Sequence, residues 1–274
     1  MTNMAEGNVL VKVLGMQDRE VTVDKKMTLA RFMETCLEDF QEVTPSDVLL
    51  FRLAVNEEPQ PVELTRARMK AKVNNLGIVA GAAFELRLSS VILTQEDIDF
   101  LSEQTAQVFK MKLGPCIYRG SHHGWSREQF DKCCAMKGPV VVVVHATGAG
   151  SSEIQDSIRK FGAFVSTNLE TGLEKGKYGE TPYSFLFNLG TRTTFPVLPE
   201  KTKKGIFFSC DGASALLSLG GGDLCIYEDC NVHEFSYSRT PIAFDATVEG
   251  LIGSQSMYFG VQNIEAFKLM KPLV

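Results

Sequence analysis

Apolar and polar residues alternate in the first two segments of the chain. The alternation predicts strands over residues 8–13 and 20–23, joined by a turn near residues 15–18 into a hairpin. The apolar spacing then changes to three and four residues, which predicts an amphipathic helix N-capped by Thr28. Its inward face would carry Leu29, Phe32, Met33, Cys36, Leu37 and Phe40. Strand composition returns over residues 47–53 and 76–88, so the predicted order is hairpin, helix, strands.

The middle of the chain begins with a second helix. Thr94 and Asp97 have the spacing of a capping box, and the predicted apolar stripe contains Ile98, Leu101, Thr105 and Val108. Further short helices are predicted over 126–134, capped by Ser126, and over 152–161, with Ile154, Ile158 and Phe161 facing inward. Strands are predicted over 140–145, 163–166, 184–189, 205–209, 224–227 and 264–269. The five valines from 140 to 144 have no polar face, which predicts a strand buried on both sides.

Gly220, Gly221 and Gly222 run directly into the predicted strand 224–227. Three consecutive glycines lose much conformational entropy on folding, so they are expected where φ must be positive or where two backbones approach closely. A phosphate-binding loop would need a helix after the glycines, whereas β-type residues follow here. We therefore predict a tight turn at the start of a strand.

Composition and charge narrow the functional classes. The formal net charge is −5 and no stripe of Lys or Arg is present, which argues against nucleic-acid binding. The sequence contains no run of about 18 apolar residues, so no membrane span is predicted. The first residues also lack the pattern of a signal peptide. Seven cysteines, an odd number, predict reduced thiols and a cytoplasmic location. The scattered histidines and cysteines do not have the spacing of a metal site.

Residues 1–88 resemble the ubiquitin-like β-grasp fold, in the order of their elements and in the phrase that begins Leu76-Gly77-Ile78 before an alternating strand. The chain continues through Ser89 and Ser90 without the terminal Gly-Gly of a conjugatable ubiquitin. The resemblance therefore implies a fused interaction module. A small α+β lobe with no binding role is the other interpretation, because fold alone does not determine function.

Five phrases in fixed order resemble the TLDc domain family. They are Tyr118-Arg119-Gly120-Ser121 with Gly124-Trp125-Ser126, Phe161-Gly162-Ala163-Phe164, Ser184 to Leu189, Gly220-Gly221-Gly222 with Leu224, and Ile264-Glu265-Ala266-Phe267. We therefore assign residues 113–274 to a TLDc domain and residues 89–112 to a connecting helix. The resemblance implies an α+β fold in which a β-sandwich flanked by helices follows the β-grasp lobe.

The resemblance implies a non-catalytic adaptor that acts in resistance to oxidative stress and binds cytosolic subunits of the V-ATPase, without a cofactor. The candidate partner-contact residues are Arg119, His122, His123, Trp125 and Glu265. Glu265 has a second interpretation, as a buried hydrogen-bond acceptor that fixes the last strand. A cytoskeletal scaffold is an alternative function.

A cysteine-dependent redox or hydrolytic enzyme is the other alternative. Its nucleophile would be Cys133 or Cys134, with His122, His123 or His145 as the base and an aspartate such as Asp131 as the orienting acid. Both cysteines lie on a predicted helix that precedes a buried strand, where a small core residue is expected rather than a thiolate. We therefore predict that the protein is not an enzyme.

Overall fold

The computed structural model describes residues 7–13, 17–24, 26–38, 48–53, 60–62, 68–76, 78, 82–147, 159–169, 177–208 and 215–270. These residues form two compact units that divide between Ser89 and Ser90. Both units combine a β-sheet with α-helices, so the predicted α+β class is confirmed.

The first unit is a mixed five-stranded sheet with one α-helix. Its elements are β1 Gly7–Val13, β2 Gln17–Val23, α1 Leu29–Cys36, β3 Val48–Leu53, β4 Gln60–Val62 and β5 Ala83–Leu88. The strand order is β2-β1-β5-β3-β4, in which β1 pairs antiparallel with β2 and parallel with β5. A hairpin followed by a helix and a central parallel pair is the β-grasp arrangement of ubiquitin-like folds, as predicted.

Helix α1 supplies the core of the first unit. The Thr28 side chain accepts a hydrogen bond from the Arg31 amide at 3.3 Å and so caps the helix as predicted. The apolar face is buried through Leu29, Phe32, Met33, Cys36 and Leu37. The Phe32 and Phe84 rings meet edge to face at 6.2 Å, which connects the helix to β5. Phe40, predicted on the same face, lies outside the described residues.

The second unit is a long sheet with helices. Its elements are α2 Gln95–Phe109, β6 Lys112–Arg119, α3 Gly120–His123, α4 Arg127–Cys134, β7 Val140–Thr147, β8 Lys160–Val165, β9 Lys177–Gly179, β10 Phe185–Asn188, β11 Thr193–Pro196, β12 Ile206–Phe208, β13 Ala215–Leu219, β14 Leu224–Tyr227, β15 Ser236–Tyr237, α5 Val248–Ile252 and β16 Tyr258–Met270. The strand order is β11-β10-β8-β7-β16-β15-β14-β13-β12-β9, and β6 also pairs with β16.

Strand β16 joins the two halves of this sheet. Its first residues pair with β15, and later residues pair with β7 on one side and β6 on the other. All five valines from Val140 to Val144 are fully buried, as predicted. Val142 and Val144 of one half and Leu224 and Ile226 of the other belong to one hydrophobic cluster. The two halves therefore pack around a shared core, as in a β-sandwich.

The triple glycine forms the predicted turn. Gly220, Gly221 and Gly222 have φ angles of +63°, +72° and +123° and connect β13 to β14 as an antiparallel hairpin. The next residue, Asp223, is fully buried, and its carboxylate accepts hydrogen bonds from the backbone amides of Ile242, Ala243 and Phe244 at 2.6, 2.6 and 3.0 Å. The turn thereby fixes a distant loop as well as its own strand.

Helices α2 and α4 begin where the sequence predicts. The Thr94 hydroxyl accepts from the Asp97 amide and the Asp97 carboxylate accepts from the Thr94 amide, which completes the capping box. Ser126 caps α4 by accepting from the Gln129 amide at 3.3 Å. Helix α2 belongs to the second unit and packs against β6, whose Leu113 amide donates to the Ser102 hydroxyl.

Two sequence predictions for the second unit are wrong. Val108 was expected on the inward stripe of α2, yet it is exposed. The buried positions of the helix are Asp97, Leu101 and Thr105, and Val108 lies in the last turn, beyond them. Phe161 was expected in a helix, but it lies in β8 and pairs with Val144 of β7. Cross-strand pairing with β7 overrides the local spacing there. The other inward residues of that predicted helix lie outside the described part of the chain.

Candidate functional site

Arg119 and Glu265 form an ion pair across two neighbouring strands. They are register partners on β6 and β16, and the Arg119 Nε donates to Glu265 Oε1 at 2.7 Å. The same carboxylate accepts from the Val91 amide at 3.1 Å and from the Ser90 hydroxyl. Glu265 is fully buried, whereas the Arg119 side chain is 23% exposed. The buried carboxylate thus connects β16 to the segment before α2. This arrangement corresponds to the interpretation of Glu265 as a buried hydrogen-bond acceptor that fixes the last strand.

The short helix α3 positions Trp125. The Tyr118 hydroxyl donates to the Gly124 carbonyl at 2.7 Å and so closes the helix back onto β6. A Cβ at Gly120 would lie 2.6 Å from the Trp125 ring, so glycine is required for the indole to lie against the α3 backbone. The Trp125 carbonyl accepts from the Asp229 amide at 3.1 Å. The indole itself is half-buried against the core of the second unit.

The two adjacent histidines of α3 differ in environment. His123 is half-buried, stacks on Tyr118 at 5.8 Å, and its Nδ1 lies 2.9 Å from the Arg119 amide, which donates to it. Burial lowers the pKa of His123, which favours the neutral ring, the form that accepts this bond. His122 is exposed and meets the His123 ring edge to face at 4.8 Å. Of the two, His122 is available at the surface.

A surface groove brings Trp125 together with a distant loop. The walls of this groove, which we call the tryptophan groove, include Ser121 and Trp125, the loop residues 230–234, and Gly260 at the start of β16. Its volume is about 610 Å³. Val232, one of its loop residues, is 74% exposed. The groove thus contains one of the predicted contact residues, and the exposed His122 lies on the same short helix as Ser121.

Burial disfavours the thiolate form of the cysteines considered as nucleophiles. It raises the pKa of the Cys133 thiol and, more strongly, that of the fully buried Cys134. It also raises the pKa values of Cys116 and Cys230 to about 12. A nucleophilic cysteine needs the opposite shift, toward a stable thiolate at neutral pH.

The other members of the proposed catalytic set are held in separate interactions. Asp131 pairs with Arg127 one turn earlier on α4 at 2.7 Å. His145 lies on β7, where it is in register with Lys160 of β8 and Asn263 of β16. Asp131 is thus paired with an arginine of its own helix, and His145 lies within the sheet.

A second groove escaped the sequence analysis. We call it the aromatic groove; its lining residues are Tyr227, Glu228, His233, Phe235, Tyr237, Arg239 and Tyr258, and its volume is about 450 Å³. The sequence feature that could have indicated this groove is the high frequency of aromatic residues between positions 227 and 237. Tyr258 completes the groove from β16, and its proximity depends on strand pairing between β15 and β16, which sequence spacing does not reveal.

Within the described residues, no three His, Cys, Asp or Glu side chains are grouped so that they could hold a metal ion. None of the helices described for this chain has the length and apolar character needed to cross a bilayer.

Comparisons with known proteins identify the second unit. The model of the TLDc domain family matches residues 86–270. No curated protein matches the chain. Similar solved structures include the C-terminal ubiquitin-like domain of mouse tubulin-specific chaperone e, at 15% identity over 34% of this chain and 97% of that chain, with a TM-score of 0.27. Another is the ubiquitin-like domain of an Arabidopsis thaliana protein, at 18% identity over 35% of this chain and 89% of that chain, with a TM-score of 0.24. Because the family model covers more than half of its length, this chain belongs to the TLDc domain family.

Proposed function

We propose that this protein is a non-catalytic, cytoplasmic adaptor that binds cytosolic subunits of the V-ATPase and contributes to resistance against oxidative stress. The observation that carries the proposal is the TLDc match over residues 86–270. The family is associated with both properties, and the ubiquitin-like unit supplies a second surface of a fold often used for protein binding. Fold alone does not select the partner, so the proposal depends on a direct binding test.

Two features of the second unit support a binding role over a catalytic one. The pKa values of its buried thiols are raised by desolvation, so these cysteines are protonated and weakly nucleophilic at neutral pH. The tryptophan groove combines a half-buried indole with the exposed apolar Val232. Both residues line one groove, so a partner bound there would cover apolar surface of each.

The direct test is retention of the purified cytosolic sector of the V-ATPase by the immobilised full chain, at low and moderate salt. We expect retention by the wild-type chain and a clear reduction with Val232→Lys, which places a charge in the tryptophan groove. Val91→Lys is the matched control, because Val91 is also exposed, at 61%, and is not a lining residue of either groove. Failure of the wild-type chain to retain the assembly would reject the V-ATPase as partner.

The proposal that the protein is not an enzyme has a separate test. Alkylation rates of the six cysteines in the described part of the chain, measured by mass spectrometry at neutral pH, should each be slower than that of a free thiol. One cysteine that reacts faster than free thiol would favour the enzyme alternative. The stress-related part is tested by survival in peroxide of cells that lack the protein, with wild-type and Val232→Lys chains reintroduced.

A further inference from the structure

Three tyrosine rings form a row in the aromatic groove, in which Tyr258 is exposed, Tyr227 is half-buried and the central Tyr237 is buried. Tyr237 is paired with Tyr258 across β15 and β16, and their rings lie 6.2 Å apart. On the other side, the Tyr227 ring lies 6.1 Å from that of Tyr237. Strand pairing holds these rings at fixed positions, so the groove is formed before any ligand binds and little conformational entropy is lost on binding.

Apolar surface is exposed along this row. Phe235 is 66% exposed and Tyr258 is 46% exposed. The His233 ring stacks on Phe235 at 4.5 Å with an interplanar angle of 24°, which orients the phenylalanine although most of it remains in contact with solvent. An ordered but exposed aromatic cluster is the signature of a surface that binds a partner.

The polar groups of the groove favour a ligand that carries hydrogen-bond acceptors. The Arg239 guanidinium lies 4.5 Å from the centre of the Tyr237 ring, so it covers one face of that ring at the lining of the groove. Arginine donates and never accepts, so a segment rich in backbone carbonyls and poor in N–H groups suits it.

The charges around the groove favour a basic ligand. The lining residues Glu228 and Arg239 have opposite charges, and the other charged residues between positions 227 and 237 are Asp229 and Glu234, both exposed. One Glu228 oxygen accepts from the Arg127 amide at 2.5 Å at the start of α4, which fixes the carboxylate at the wall of the groove. Of the three carboxylates in this loop, Glu228 lines the aromatic groove and would be the partner of a basic ligand, whereas Glu234 lines the tryptophan groove.

We propose that the aromatic groove binds a proline-rich segment in the polyproline II conformation that carries an adjacent Arg or Lys. Proline rings pack on aromatic side chains, proline lacks an N–H group, and the polyproline II backbone leaves its carbonyls available to donors such as Arg239. The basic residue would pair with the Glu228 carboxylate at the wall of the groove. This inference rests on the proposed binding role of the protein but not on the V-ATPase as its partner.

The test is a calorimetric titration of the full chain with three blocked decapeptides. The first contains two proline-x-x-proline repeats and one terminal arginine, the second has alanine in place of every proline, and the third has glutamate in place of the arginine. We expect the first to bind at least about tenfold more tightly than the second, a difference of about 1.4 kcal/mol. The third should bind more weakly than the first, with a gap that narrows as salt is added.

Variants of the chain locate the binding surface. Phe235→Ala and Tyr258→Ala should each weaken binding of the first peptide by about tenfold or more, the range found for central aromatic residues. Tyr183→Ala is the matched control, because Tyr183 is 60% exposed and is not a lining residue of the groove. Glu228→Gln should weaken binding of the arginine peptide and leave binding of the glutamate peptide no weaker, because glutamine lacks the charge but still offers an oxygen to the Arg127 amide.

The outcomes separate this inference from the proposed function. Absence of peptide binding by a folded chain, equal binding of the proline and alanine peptides, or a preference for the glutamate peptide would each overturn it. If the peptide fails while the V-ATPase is retained, only the ligand of the aromatic groove is wrong. If the peptide binds while the V-ATPase is not retained, the groove has a different protein partner.

Discussion

Glu265 lies opposite Arg119 on the neighbouring strand, and its fully buried carboxylate accepts a charge-assisted hydrogen bond of 2.7 Å from that guanidinium. Glu265→Ala would leave Arg119 and the Val91 amide without their acceptor. We expect the free energy of unfolding of the second unit to fall by about 3 kcal/mol or more, because removal of one partner from a buried ion pair costs that much. Urea denaturation followed by tryptophan fluorescence measures it, since Trp125 is the sole tryptophan of the chain.

The control for this prediction is Glu103→Ala. Glu103 is exposed on α2, where substitution of a surface glutamate should change the free energy by no more than about 0.5 kcal/mol. Equal urea midpoints for the two variants would show that the Arg119–Glu265 pair contributes no more than an exposed residue.

Two glycine variants distinguish the stability cost of backbone strain from the cost of a steric clash. Gly220→Ala combines a positive φ of +63° with a Cβ that would lie 2.0 Å from the Asp223 carboxylate. Gly138→Ala has a positive φ of +90° and no atom within 4 Å of the added Cβ. We expect a loss of about 1 kcal/mol for Gly138→Ala from backbone strain and at least twice that for Gly220→Ala. The measurement is again urea denaturation at Trp125.

Similar losses for the two glycine variants would mean that Asp223 moves aside without cost. That outcome would contradict the fixed position that its three backbone hydrogen bonds give to the carboxylate.

Asp223 should contribute strongly to stability through the loop that it holds. Asp223→Ala leaves the amides of Ile242, Ala243 and Phe244 without this acceptor, and each unsatisfied buried group costs about 1–3 kcal/mol. We expect a loss of at least about 3 kcal/mol. The exposed Asp245 is the control, because Asp245→Ala should be close to neutral. Native-state hydrogen exchange at Ala243 and Phe244 should accelerate in Asp223→Ala. Unchanged protection would contradict the hydrogen bonds that these two amides donate to Asp223.

The buried thiol of Cys230 predicts a loss of stability at alkaline pH. Burial raises its pKa from 9.0 to about 12, so between these values the unfolded chain releases a proton that the folded chain retains. Stability from this group is therefore complete below pH 9 and declines as the pH rises, by up to about 1.4 kcal/mol per pH unit. Urea denaturation under reducing conditions should show a steeper decline for wild type than for Cys230→Ala. Parallel declines would contradict the raised pKa.

Local pattern alone determined most of the regular elements. The caps at Thr28, Thr94 and Ser126 begin their helices as predicted, because capping depends on residues within one turn of each other. The five valines and the triple glycine were also predicted correctly. A continuous apolar run needs burial on both faces, and consecutive glycines permit positive φ angles.

Tertiary structure decided what depends on distant partners. Phe161 lies in a strand because β7 pairs with it, and Val108 is exposed because the buried stripe of α2 stops at Thr105, one turn before the helix ends. Strand pairing places Arg119 beside Glu265 and Tyr237 beside Tyr258, although the members of each pair are distant in sequence. Sequence spacing determines which side chains share a face of one element. Strand pairing and packing decide which faces meet, so both the buried ion pair and the aromatic groove are properties of the folded chain.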